Sequence, residues 1–118
     1  DALAPAYMTR RRTGDLLAAR FGNHAWRLAW QSRSGDPRSR WLEPDVSDVL
    51  RDEARCGARA ALVAPIGFVS DHVEVLYDLD HAAAASAEAA GLVFARVGTP
   101  GTHPAFTALL ADLVEEIA

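Results

Sequence analysis

Cysteine is nearly absent from this 118-residue chain: Cys56 is the only one. That excludes an intramolecular disulfide framework and any four-cysteine zinc or iron–sulfur site within the chain. It fits a reducing, cytosolic setting. Long hydrophobic runs are missing too. No stretch reaches the roughly 18 apolar residues that span a bilayer, and no secretory signal pattern is visible. Positive charge is in the minority, with 12 Lys and Arg against 16 Asp and Glu and a net charge of −4. Nucleic acid is therefore not the expected partner, and the run Arg10–Arg12 reads as a solvated helix start. There are no internal repeats. An initiating methionine is also lacking, and Asp1–Tyr7 is Ala/Pro-rich and reads as a loop. The expectation is a piece of something longer.

What is present suits one small domain. Half of the residues are hydrophobic, enough for a packed core. Thr13–Phe21 reads as a helix stopped by Gly22. Trp26–Trp30 alternates bulky apolar residues and reads as a strand, and Gln31–Arg40 as a polar loop. Pro44 opens a helix over Asp45–Arg55 with Val46, Val49, Leu50 and Ala54 on one face, and Gly57 ends it. Arg59–Ala64 reads as a buried strand. A long helix is expected from near Ser70, bent, to Ala90. Leu92–Val97 follows as a strand and Pro104–Ile117 as an amphipathic helix. Alternation of this kind predicts a parallel sheet with helices on both faces. Ligands bind beyond the carboxyl ends of such strands, which directs attention to Gln31–Trp41 and Pro65–Asp80.

The second segment reads PIGFVSDHVEVLYDLD. With a helix starting at Ser70, Asp71, Glu74, Asp78 and His81 fall on one face. Val69, Val73, Leu76 and Tyr77 then form an apolar back, and His72 sits in the first turn. Clustered carboxylates raise one another's pKa values, so such a stripe serves a cation, proton transfer or a solvated face. Carboxylates with imidazole suit divalent metals such as ferrous iron. Asp71 and Glu74 also have the spacing of a capping box, and acidic first-turn residues complement the helix dipole. Spacing alone leaves both readings open.

This segment closely resembles the ferrochelatase signature, a Pro-containing turn and Phe followed by Ser-Asp-His-x-Glu. WQSRSGDPRSRWLEPDV upstream and GTHPAFTALLADLVEEIA downstream resemble the same family in the same order. The similarity runs from about Gly14 to the end. It implies a three-layer α/β/α, Rossmann-like class II chelatase fold, with residues 1–118 as a partial carboxyl-terminal domain whose first strand is missing. It implies insertion of ferrous iron into a porphyrin, with porphyrin and iron as substrates and the amino-terminal half of the same enzyme as partner. Glu74 matches the glutamate of metal delivery or proton removal, and Asp78 the next acidic position of a metal path. His72 matches the histidine beside that glutamate, as catalytic group or hydrogen-bonding support. Trp41 matches a pocket tryptophan, Ser32 a polar position near a propionate and Gln31 a further substrate-binding position; Arg33 reads as a solvated loop arginine that could meet a propionate. The upstream Ser-Ala-His-like motif is not found, and His24, His81 and His103 are in the wrong contexts to replace it. One acidic turn beyond Asp78 is replaced by Ala82. With no cysteine near the end, no iron–sulfur cluster is expected, and no other cofactor. The variant Ser-Asp-His-Val-Glu-Val resembles actinobacterial-type enzymes, which favours coproporphyrin III over protoporphyrin IX. A small homodimeric cobalt or iron chelatase and a non-catalytic porphyrin- or haem-binding remnant are the alternatives.

Overall fold

The computed structural model describes residues 4–20, 22, 24–31, 38 and 43–118, with side chains from Arg10 onward. Helix α1 spans Ala4–Arg20. The opening segment is thus helical from Ala4, not the loop expected, because Pro5 falls in the first turn where a missing N–H costs nothing. Trp26–Trp30 is not a strand. Trp26 turns onto α1, where a methyl group at Gly14 would run into its ring and where the Arg11 guanidinium lies 4.9 Å from the ring centroid, a cation–π distance. Trp30 alone makes a parallel bridge to Asp45. Its N–H donates to the Pro44 carbonyl, and its own carbonyl accepts from the Val46 N–H, both at 2.9 Å.

Helix α2 (Val46–Arg55) starts where the sequence placed it, with the Asp45 carboxylate accepting from the Ser47 N–H at 2.9 Å. It ends at Gly57, whose φ of 98° only glycine adopts freely. There Gly57 N–H donates to Ala54 and Ala58 N–H to Glu53, the paired bonds of a Schellman end. Strand β1 (Ala60–Val63) and strand β2 (Val93–Arg96) pair in parallel, with Ala60 opposite Val93 and Val63 opposite Arg96.

Between the strands runs one continuous helical stretch, residues 73–89: α3 (Val73–Val75), a π-helical segment (Leu76–Ala83) and α4 (Ala84–Ala89). Its buried residues are Val75, Leu79, Ala83 and Ala87, all fully enclosed and spaced by four. Each step of four overshoots a 3.6-residue turn by about 40°. A π segment with i→i+5 bonds winds more slowly and takes up the drift, so all four meet the same core. They pack with Val46, Leu50 and Leu92 against Ala61, Val63 and Phe94 of the sheet. This corrects the expected apolar back. Val69, Val73, Leu76 and Tyr77 are exposed, because the four-residue repeat carries the smaller residues that let the helix approach the sheet.

The class is α/β with a parallel sheet. Only one sheet face is packed among the described residues. Leu62 and Val93, both on the other face, are each 71% exposed, so β1 is half-buried rather than buried. Helix α5 (Pro104–Ile117) has the expected bounds but buries no residue.

Candidate active site at the carboxyl end of the strands

Both strands end toward the same loops. The segment leaving β1 reaches α3 through Pro65–His72, and it is stitched to the segment leaving β2. Val97 N–H donates to the Val63 carbonyl and Gly101 N–H to that of Val69, each at 2.8 Å. Thr99 N–H donates to Asp71 Oδ1 at 3.3 Å.

The helix begins at Val73 rather than near Ser70, and the reason lies in Asp71. Its carboxylate is engaged by Thr99 and by Arg96 Nη1 at 2.9 Å, so it cannot act as cap, and the expected Asp71–Glu74 capping box does not form. His72 caps instead: its Nδ1 accepts the Glu74 N–H at 3.2 Å. That bond requires Nδ1 to be unprotonated, which places the proton of the neutral ring on Nε2. The ring packs edge-on to Phe68, centroids 5.1 Å apart. The expected helical stripe of Asp71, Glu74, Asp78 and His81 is therefore broken. Asp71 precedes the helix, and Asp78 and His81 lie on the π segment. His81 stacks loosely on Tyr77 at 6.1 Å.

Arg96 and Asp80 carry no motif of their own in the sequence. The Arg96 fork grips Asp80, Nε to Oδ1 at 2.5 Å and Nη2 to Oδ2 at 2.9 Å. A lone basic residue in the apolar run LVFARV was the available signal. Only 13% of its side chain is exposed. Desolvation pushes the Asp71 pKa up, but the bonds from Thr99 and Arg96 outweigh it and hold the group below the usual value of 3.8. Asp80 is lowered by the Arg96 hydrogen bonds against a smaller desolvation effect. Arg96 in turn is shifted upward, first by Asp80.

Glu74 differs from both aspartates. It is exposed, and its carboxylate has no hydrogen bond or ion pair to another described residue. Val73, Leu76 and Tyr77, at i, i+3 and i+4, form an exposed apolar strip beside it. Asp78 is half-buried, one turn further on. Among the described residues no three His, Cys, Asp or Glu side chains are grouped to hold a metal ion. Gln31 is half-buried beside the Trp30 bridge; Ser32, Arg33 and Trp41 lie outside the described residues.

An apolar strip around one uncommitted carboxylate, at the ends of parallel strands, is where the Ser-Asp-His-Val-Glu segment falls. The ferrochelatase family profile matches residues 6–118. The chain belongs to the ferrochelatase family. It is 54% identical over 102 residues to a coproporphyrin III ferrochelatase of Mycolicibacterium paratuberculosis, covering 86% of this chain and 30% of that protein. It is 50% identical over 112 residues to coproporphyrin III ferrochelatases of Mycobacterium bovis and Mycobacterium tuberculosis, covering 95% of this chain and 31% of each. The chain thus spans less than a third of the length of these relatives.

Proposed function

We propose that this chain forms one side of the active site of a cytoplasmic ferrochelatase that inserts ferrous iron into coproporphyrin III. The carrying observation is Glu74, the uncommitted carboxylate bordered by Val73, Leu76 and Tyr77. A porphyrin is flat, apolar across its face and anionic at its edge. An exposed apolar strip matches such a face, and a carboxylate beside it can meet the ring centre. The names of the mycobacterial relatives support the same substrate.

Metal insertion removes two pyrrole protons and strips water from the iron. Glu74 accepts the pyrrole protons one at a time in this reading and passes each to solvent before taking the next, while docking of the ring against the apolar strip excludes bulk water from the exchange. Asp78, one turn away, extends the line along which iron enters or protons leave. Two carboxylates hold a divalent ion loosely, which suits a metal that must be passed on. His72 fixes the turn through Nδ1 and presents Nε2–H outward. Ser32 is proposed near a propionate, Gln31 as a further substrate contact and Trp41 against the face of the ring, with the amino-terminal half of the family's chain as the opposite wall. Iron is substrate here, and no resident cofactor or iron–sulfur cluster is proposed.

The test is zinc and ferrous insertion into coproporphyrin III by the full-length gene product. Glu74→Ala is expected to lower kcat by about 10²–10⁴-fold with porphyrin affinity retained. Unchanged turnover would reduce Glu74 to a surface residue. Porphyrin binding without insertion by the wild type would favour a binding protein instead.

A further inference from the structure

We infer that Arg96 is a positioning residue for metal insertion: it locks the Asp71–Glu74 turn and the π segment onto β2, which leaves Glu74 as the uncommitted carboxylate. The inference rests on the chelatase reading for its catalytic consequence, and on geometry for the rest.

Arg96 is the last residue of β2 and lies on the packed face of the sheet. Its guanidinium bridges two carboxylates that flank Glu74 in sequence, Asp71 before it and Asp80 after it. A fork gripping Asp80 through two bonds fixes direction as well as distance. Withdrawing a cation from water is costly, and an apolar side chain would hold a helix to a sheet as well or better. The ionic arrangement therefore adds geometry rather than stability. Without it, Asp71 keeps the Thr99 N–H but loses its cationic partner, and the turn is otherwise held by the Val69 carbonyl bond to Gly101 and the His72 cap.

The lock also sorts the charges. Four acidic residues lie between positions 71 and 80, and their mutual repulsion would scatter the turn. Arg96 holds both Asp71 and Asp80 in hydrogen-bonded ion pairs and offsets one of their two charges. Neither then competes for the incoming metal. Lysine at this position keeps the charge but cannot hold both aspartates with a planar fork.

The experiment uses the full-length enzyme with Arg96→Lys, Arg96→Gln and Asp80→Asn. Three quantities are read: kcat and KM for zinc insertion, porphyrin affinity by fluorescence quenching, and hydrogen exchange of peptides covering 69–76 and 46–55. For Arg96→Lys and Asp80→Asn, kcat is expected to fall about 10–100-fold with porphyrin affinity unchanged. Exchange is expected to speed up in 69–76 and stay constant in 46–55. A purely structural ion pair would speed exchange in both peptides together, or lower the melting temperature without changing kcat in the folded fraction. Either result overturns the inference, as does unaltered exchange in 69–76. If Arg96→Gln does not fold, the lysine and asparagine variants decide. If the wild type inserts no metal, the chelatase reading fails, while the exchange comparison still decides whether Arg96 holds the turn.

Discussion

The composite helix 73–89 and helix α5 start in the same way and end in opposite situations. Each is capped by a histidine whose Nδ1 accepts the N–H two residues on, His72 from Glu74 at 3.2 Å and His103 from Ala105 at 3.1 Å. Each is rich in alanine and aliphatic residues. Yet Val75, Leu79, Ala83 and Ala87 are fully buried, whereas Leu109, Leu110, Leu113, Val114 and Ile117 are all exposed. Local signals thus set where a helix begins, and they do so equally for a packed and an unpacked helix. Burial needs a second surface of matching shape. The inner helix meets the sheet and α2, and among the described residues nothing buries the apolar side of α5.

The largest test of that contrast is truncation on either helix. Leu79→Ala is expected to cost about 2–5 kcal/mol of local opening free energy, read by hydrogen exchange of residues 73–89, because a closed core cannot collapse onto the void. Leu110→Ala should stay within about 0.5 kcal/mol in this 118-residue chain. A comparable loss at Leu110 would mean that α5 packs in solution.

Acid tests the start of the composite helix next. The folded pKa values of Asp71 and Asp80 lie below 3.8, so the unfolded chain binds more protons near that pH. Their contribution is therefore complete above the ordinary carboxylate value and lost as pH falls through the lowered native values. Carboxyl carbon NMR shifts should show both titrating below 3.8. Residues 69–80 should loosen in acid before α2 does. Titration of both at or above 3.8 would rule out the Arg96 clamp.

The caps give the smallest effect. His103→Ala should cost about 1 kcal/mol of helix stability and reduce α5 helicity by circular dichroism, since α5 has little else to hold it. The bare faces of α5 and of Leu62 and Val93 lead to one further expectation. The 118-residue chain alone should unfold without a sharp cooperative transition, and a sharp transition in a monomeric sample would refute this.

Most helix bounds were legible in the sequence because they are local. Gly57, Gly91 and Pro104 act through φ and a missing N–H, and α2 and α5 fall where expected. Trp26–Trp30 misled because alternation is only half of a strand. The other half is a partner, and Trp26 found α1 instead. In the site, the segment Ser70–Asp80 was recognisable and Glu74 stood out within it. The expected placement of Asp71 on one helical face with Glu74, Asp78 and His81 failed because Arg96, 25 residues away, takes up its charge.

The sequence by itself determined the bounds of α2 and α5, the alternating order that makes a parallel sheet, and the Ser-Asp-His-Val-Glu motif that places the chain in its family. Tertiary structure alone decided which face of residues 73–89 is core and which carboxylates are spent in ion pairs. The physical reason is range. Caps and turns act over four or five residues, while burial and the Arg96 fork depend on groups brought together by the pairing of β1 with β2.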